Sequence, residues 1–573
     1  MKFDKNEEQA MDKAIQGLLD NGVLELCKPE KGQHLSSVFA RPKPDGSRRL
    51  IFNMKPLNLN IVHHKFKMDT LAHILSLVKK DCVMAVVDIK DAYYSVPIKL
   101  EYRKYLRFKW KGRLMQYTCL PNGLKSAPRI FTKIMKPPMA TLREQGHTVS
   151  SYIDDIYIQA DTNQECADSI VATKELFAGL GFEIHPGKSA TEGSTKTKVL
   201  GFVIDSQTMT VRLAPEKALA LKQLCADAYS KSAITIREMA SVIGKIVAAF
   251  PGSQYGQLHY RTLEKQKVMA LKRNKGKWDS LMSITPSMKP QLKWWIDNIE
   301  SQFAIINRNT PDIVLETDAS MSGWGARCGT TSTGGRFSPH EQRQALNINA
   351  LELLAVKLAL MAFKNELTAK HVLIRSDNTT AVAYINNKGG MKLTQCDRIA
   401  HEIWAWAIEN EMWLTATYLP GTQNVQADRE SRVHNDRTEW ALTSHAFAKI
   451  CAKFGRPEID LFASRLNHKV DTYCSWKPDP SAISVDAFTI PWSNKFFFAF
   501  PPFSLLARTL QKIHREGASG VIVAPVWPTQ VWYPALMRSC RGEPVYLNST
   551  DLYLPHRPTQ KHPLTMKMMA CLL

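Results

Sequence analysis

Apolar residues recur at helical spacing over residues 7–21, and the run stops at Asn21-Gly22, a pair that ends helices. RPKPDGSRRLIFN (residues 41–53) predicts strand, turn, strand, with Asp45-Gly46 as the hairpin turn. MAVVDIK (84–90) reads as a buried strand that ends in a charge. SAPRIFTKIM (126–135) opens a helix after a Pro-Asn-Gly turn, SYIDDIYI (151–158) predicts a second hairpin centred on its two acids, and KVLGFVID (198–205) is another strand. From Pro215 the pattern is helical to about Phe250, where Pro251-Gly252-Ser253 breaks it, and a basic, mostly helical stretch runs on to about residue 305. A new α/β alternation starts at Asp312. IVLETDAS is a strand, NALELLAVKLALMAF a helix, and HVLIRSDN and WLTATYLPG are strands; the alternation ends near Arg432-Val433-His434. The last block, 440–573, is richer in Pro and Trp and weaker in periodicity.

Length and charge sharpen this outline. A chain of 573 residues predicts three or four domains, and 44% hydrophobic content supplies several cores. The formal charge of +22 favours a polyanionic partner, usually nucleic acid. The excess is uneven: residues 99–143 carry twelve Lys or Arg against one acid, Glu101, and residues 261–278 carry seven against one, Glu264. Eleven cysteines lie scattered without metal-finger spacing, which predicts reduced thiols in an intracellular protein, in cytoplasm or nucleus. No stretch approaches the length of a membrane span, so no membrane partner is expected. The charged, helical start is not a secretory signal.

Three acids stand where strands should reject them. Asp88 closes a buried strand, and Asp154 and Asp155 occupy the turn of the later hairpin. An isolated Asp-Asp pair is most often a turn or a structural ion pair. Converged on one point, these three would instead form a cage for hard cations, and two Mg2+ ions supply the charge neutralisation and in-line positioning that phosphoryl transfer needs.

VVDIKDAYYSVPI, LPNGLKSAPRIFTKIM and YIDD, in this order and with RPKPDGSRRLIFNMKPLN upstream, resemble the reverse transcriptases of retroviruses and long-terminal-repeat-type retroelements over residues 10–300. The resemblance implies an α+β right-hand polymerase with fingers, palm and thumb: fingers and palm over 1–210, thumb and connection over 211–305. It makes Asp88, Asp154 and Asp155 the catalytic acids and metal ligands, with Asp155 in the more supporting role. Tyr93, five residues after Asp88, would collide with a ribose 2′-hydroxyl and select deoxynucleotides. Asn122 and Gly123 would approach the incoming nucleotide, although the family often has Gln where Asn122 stands. Lys43 and Arg49 on the fingers hairpin would clamp the triphosphate. Lys188, in GFEIHPGKSA, matches a lysine that assists pyrophosphate departure. The basic run 99–143 would line the cleft for an RNA template and DNA primer, and SAITIREMASVIGKIVAAFPG would be a thumb helix laid along the duplex.

Four further acids recur in the second half: Asp318 in ETDASMSGWGA, Glu352 in NALELLAVK, Asp377 in IRSDNTTAVAYI and Asp428 in LPGTQNVQADRESR. Taken singly each is more often a surface acid. As an ordered set with these flanks they resemble the ribonuclease H domain that follows the polymerase in retroelements. The likeness implies an α/β ribonuclease H-like domain over 312–436, two Mg2+ (or Mn2+) ions in each of the two active sites, and an RNA–DNA hybrid as substrate beside the dNTPs of the polymerase. Ala319, Ser320, Gly323 and Gly325 suit a hairpin that nucleic acid approaches. One departure is Thr422 after Pro420-Gly421, where the retroviral enzymes often carry a histidine. Threonine cannot shuttle a proton, so a lower rate is expected.

The block 440–573, a mixed α/β extension, resembles the region after ribonuclease H in DIRS-like retroelements of the tyrosine-recombinase class. Pro501-Pro502-Phe503 and the Asp460 segment carry a faint likeness to adenine-N6 methyltransferases. Phe500 stands where those enzymes place a polar residue, and no glycine-rich loop for S-adenosylmethionine is found, so a degenerate, structural or nucleic-acid-contacting remnant is expected. Trp476, Trp492, Trp527 and Trp532 are expected to pack in the core rather than stack bases. No aspartic-protease triplet and no integrase or recombinase block is found. The start lies close to the first family helix, so an upstream portion is expected to be missing. The competing expectation is a decayed or domesticated nucleic-acid-binding protein without turnover. An RNA-copying RNA polymerase conflicts with Tyr93. Oligomeric state is left open.

Overall fold

The computed structural model describes residues 5–42, 48–344, 347–433, 440–555 and 567–573. The chain divides into two units, Met1–Arg308 and Asn309–Leu573.

In the first unit, helix α1 (Lys5–Asp20) ends before Gly22, whose φ of +68° turns the chain. Strands β1 (Val38–Pro42) and β2 (Arg48–Phe52) pair antiparallel with Pro42 opposite Arg48; the expected Asp45-Gly46 turn between them lies outside the described residues. The functional sheet is three-stranded. Strand β3 (Val83–Asp88) pairs antiparallel with β5 (Asp155–Ala160), which pairs in turn with β4 (Thr148–Tyr152). Strand alternation decides where the acids go. Val83, Ala85 and Val87 of β3 and Ile156 and Ile158 of β5 pack against helices α2 (Ala127–Glu144) and α3 (Asn163–Gly179) through Phe131, Met135, Cys166 and Phe177. Met84 and Tyr157 join the opposite core, so the period of two places Asp88 and Asp155 on that face, away from the helices.

The stretch expected to be one helical run after Pro215 is two helices, α4 (Pro215–Ser230) and α5 (Ile236–Ala249), split by a short strand at Ala233–Thr235. The split has a local cause. Thr235 and Glu238 form a reciprocal capping box that starts a new helix inside the apolar periodicity. Helices α6 (Arg261–Arg273) and α7 (Lys289–Asn298) complete the unit, and Trp295 of α7 is fully buried and stacks on Phe250.

The second unit holds two five-stranded sheets. In the first, β6 (Ile313–Ala319), β7 (Gly323–Cys328) and β8 (Thr331–Arg336) form an antiparallel meander, and β9 (His371–Ser376) and β10 (Trp413–Tyr418) run parallel to β6, in the order β8-β7-β6-β9-β10. Helix α8 (Ile348–Ala362), capped by the Asn347 side chain, is apolar nearly all round and lies buried. Helix α9 (Thr394–Glu409) packs on it, and α10 (Val425–Arg432) lies across β7 and β8. Gly325 and Gly334 make that approach possible: a Cβ on Gly325 would sit 2.0 Å from the carbonyl oxygen of Ala427, and one on Gly334 2.7 Å from that of Glu430.

The block after residue 440 folds into a sheet that its periodicity did not announce. Strands β11 (Ile459–Asp460), β12 (Phe497–Ala499) and β13 (Gly520–Pro525) run parallel, and β15 (Met568–Leu572) is inserted antiparallel between β13 and β14 (Val545–Leu547), giving the order β11-β12-β13-β15-β14. Helix α11 (Leu506–Glu516) connects β12 to β13. Trp492 and Trp532 are buried as expected, whereas Trp476 is 66% exposed. All eleven cysteines are free. Among the described residues no helix is long and apolar enough to cross a membrane.

Candidate active sites

The first site is built on the β3–β5 pair and the β4–β5 turn. Asp88 and Asp155 are direct register partners, and Asp154 occupies the turn. Ile153, the residue before it, is held at φ +53°. A β-branched side chain in the left-handed region is strained, and such strain persists only where surrounding structure enforces it. Here the Ile89 amide donates to the Asp154 carbonyl at 2.9 Å, tying the turn to the end of β3. The other edge of β3 is held by the loop 183–190: the His185 amide donates to the Asp88 carbonyl, and Ser189 Oγ accepts from the Asp88 amide at 3.0 Å.

Electrostatics follow from this crowding. Burial, then the neighbouring carboxylates of Asp154 and Asp88, push Asp155 up to about 6. Burial raises Asp154 as well, with Asp88 adding to it and Lys188 opposing. The Lys188 ammonium lies 3.7 Å from Asp88 Oδ2, so a protein cation faces the carboxylate group. Tyr93 sits on a short 3-10 turn (Ala92–Ser95), half-buried, its ring edge-on to Phe131 at 5.7 Å. Burial, and then the Asp154 charge, raise its hydroxyl. Gly123 has φ +95°, and Asn58 pins its turn by donating to the Gly123 carbonyl at 2.9 Å and accepting from the Lys125 amide at 2.8 Å. The exposed Asn122 amide donates to Tyr94 Oη. Lys43 lies outside the described residues. Arg49 stands opposite Arg41 in the β1–β2 pair, and its side chain is likewise outside what is described.

The basic run 99–143 needs correction as a uniform cleft lining. Arg107 is 5% exposed and bonds Gln116, Gln33 and Glu30; Arg103 pairs with Glu25, Lys111 with Asp12, and Arg143 holds the Val149 carbonyl. These hold the fold together. Lys99, Lys109, Arg113, Lys133 and Lys136 of the same run are exposed to solvent.

The second site is tighter. Asp318 near the end of β6, Glu352 on α8 and Asp377 just beyond β9 bring one carboxylate oxygen each within 4.8 Å of one another, and among the described residues no other His, Cys, Asp or Glu group of three does so. Asp318 and Glu352 are each 4% exposed. Burial, then Asp318 and Asp377, raise Glu352 to about 8; burial is also the main cause that brings Asp318 to about 6. One oxygen of Glu352 is buried without a hydrogen-bond partner. Three crowded carboxylates, two of them driven toward protonation and one with an orphaned oxygen, are what a hard divalent cation would satisfy, so the donor set fits one. Asp428, at the fourth position of α10, is not among the three converged carboxylates; it is paired with Arg432 at 2.6 Å, and its charge adds to the upward push on Asp318. Thr422 is exposed in the loop that leads to α10.

Residues that the motif reading did not single out hold this site in place. Ser431 Oγ donates to Asp318 Oδ2 at 2.6 Å, and Asn424, fully buried, donates to the Thr317 carbonyl at 2.8 Å. The signal for Ser431 was available, since it lies three residues after Asp428 and shares its helix face.

Residues 41–204 match the family model for reverse transcriptase (RNA-dependent DNA polymerase). The chain is 24% identical over 465 residues to the enzymatic polyprotein of Figwort mosaic virus, covering 76% of this chain and 63% of that protein. It is 23% identical over 474 residues to polyprotein P3 of Commelina yellow mottle virus, covering 76% and 23%. To the Pro-Pol polyprotein of Simian foamy virus type 1 it is 26% identical over 193 residues, covering 34% and 16%. The chain thus spans less than two thirds of the length of these relatives. Among solved structures, a foamy viral protease-reverse transcriptase in complex with RNA/DNA hybrid aligns over 77% of this chain and 58% of that one at 18% identity, with a TM-score of 0.47. Residues 41–204 are thus similar to reverse transcriptase domains, in a chain that is similar over three quarters of its length to viral enzymatic polyproteins.

Proposed function

We propose that the chain is an RNA-directed DNA polymerase with a tethered ribonuclease that degrades the RNA strand of the hybrid it makes. The observation that carries the polymerase reading is the strained Ile153-Asp154 turn, which sets two acids against Asp88 inside the reverse transcriptase domain. Asp88 and Asp154 would hold two divalent ions, Mg2+ or Mn2+, with Asp155 in support; such ions neutralise charge on the transferred phosphoryl group and activate the attacking hydroxyl. The protein's own groups do the rest. Lys188 faces Asp88 and would give a proton or a charge to the departing pyrophosphate. Tyr93, its ring packed edge-on to Phe131, would meet a ribose 2′-hydroxyl. The turn at Gly123 lets the backbone approach a nucleotide, with Asn122 at its tip.

The ribonuclease reading rests on the Asp318–Glu352–Asp377 cluster and on the meander-plus-parallel sheet that converges it. Asp428 would complete the ligand set. RNA template, DNA primer, dNTPs and RNA–DNA hybrid are the substrates on this reading, and the +22 charge favours such partners. Origin from a DIRS-like element is supported by the sequence of the 440–573 block. Purified protein with Mg2+, a primed RNA template and dNTPs should extend the primer. Salt-sensitive binding with no metal-dependent extension or cleavage would instead support a nucleic-acid-binding protein without turnover.

A further inference from the structure

The block after residue 440 contributes no acid to either carboxylate cluster. Its segment 464–479 nevertheless meets the nuclease sheet through specific polar contacts. Arg465 pairs with Glu341 at 2.7 Å and donates to the Arg336 carbonyl, at the end of β8, at 2.8 Å. Thr333, buried in β8, donates to the Pro478 carbonyl. Lys477 Nζ lies 3.3 Å from Glu430 Oε2, with both side chains about three-quarters covered. Glu430 belongs to α10, two residues from Asp428 and one from Ser431, and its other oxygen accepts from Ser332 on β8.

This geometry makes α10 a clamped element. Its inner face, with the Cβ of Glu430, lies on Gly325 and Gly334, and the Glu430 carboxylate at the edge of that face is held by Lys477. The segment carrying Lys477 is itself fixed: Ser475 Oγ donates to the Lys477 carbonyl at 2.6 Å, and half-buried Asp479 accepts from Tyr473 Oη at 2.7 Å and from the Arg465 amide at 3.2 Å. Helix α10 is only eight residues long and carries two groups of the site, Asp428 and the Ser431 hydroxyl that bonds Asp318. A short helix has little stability of its own and depends on tertiary contacts. Residues that orient metal ligands from outside tune metal affinity by large factors.

We infer that Lys477 is a positioning residue for the nuclease site: through Glu430 it holds α10, and so Asp428 and Ser431, in register with Asp318. The C-terminal block is on this view a brace that the nuclease site requires. The inference rests on the ribonuclease reading above, and its test separates the two.

The full chain is compared with Lys477→Ala, Lys477→Arg, Glu430→Gln and the double variant Lys477→Ala/Glu430→Gln. Hydrogen exchange of residues 425–432 is measured without metal, and the Mg2+ dependence of hybrid cleavage and the rate of primer extension are measured beside it. The expected result is faster exchange across 425–432 in Lys477→Ala and a rise of roughly tenfold in the Mg2+ needed for half-maximal cleavage. The KM for hybrid and the extension rate stay unchanged, Lys477→Arg restores most of the loss, and the double variant is no worse than either single one. Unchanged exchange in Lys477→Ala, or additive losses in the double variant, would overturn the brace. A raised KM with unchanged Mg2+ dependence would also overturn it, by making Lys477 a phosphate contact. Absence of cleavage by the unaltered chain would refute the ribonuclease reading, while the exchange measurement would still decide whether Lys477 holds α10.

Discussion

At the scale of single residues the two hairpin acids differ in surroundings. Asp155 is the register partner of Asp88, and its carboxyl is pushed up to about 6, so without cations it is the easier of the two to hold neutral. Asp154 stands in the turn itself. Asp154→Asn is therefore expected to abolish extension, and Asp155→Asn to reduce it by a smaller factor, measured as single-turnover primer extension. Tyr93→Ala is expected to raise ribonucleotide incorporation relative to deoxynucleotide, with little effect on dNTP use. Equal selectivity in variant and parent would remove Tyr93 from the gate.

Glu352 gives a pH prediction with a definite sign. Its folded value of about 8 lies above the ordinary carboxylate range, so between pH about 5 and 8 the metal-free folded state binds more protons than the unfolded one. Stability without metal then falls as pH rises through that window. Thermal unfolding in a chelator should show a decline that Glu352→Gln flattens, and added Mg2+ should release protons and restore stability most at the upper end.

At the scale of elements, the capping box at Thr235 and Glu238 starts α5, and Thr235→Ala should cost roughly 1 kcal/mol in denaturant unfolding of the first unit. The T-x-x-E signal for that start stood in the sequence, but continuous apolar periodicity on both sides masked it. The palm hairpin was legible from the ordered motifs around its acids, since an Asp-Asp pair alone is most often a turn or an ion pair. The seating of α10 was less so. Gly325 reads as a small residue in a hairpin, and only the fold shows that a helix backbone lies on it and on Gly334. The sheet of the last block was least legible. Its three parallel strands are buried on both faces, two of them only two or three residues long, so they give apolar runs with no alternation to read.

At the scale of the whole molecule, charge was the more misleading signal and chemistry the better one. The net +22 is real, yet Arg107 and Arg103 of the densest run are covered and engaged within the fold, so somewhat fewer groups face solvent than the count implies. The two carboxylate sets lie in separate compact units, one before residue 308 and one after. That separation predicts two activities that fail independently, and tethering would keep the nuclease at high effective concentration on the hybrid. The most direct test uses one doubly labelled RNA–DNA substrate that reports primer extension and RNA cleavage together, with Mg2+ and dNTPs. The unaltered chain should do both, Asp154→Asn should cleave without extending, and Asp377→Asn should extend without cleaving. Loss of both activities in either variant, or retention of extension in Asp154→Asn, would contradict the account.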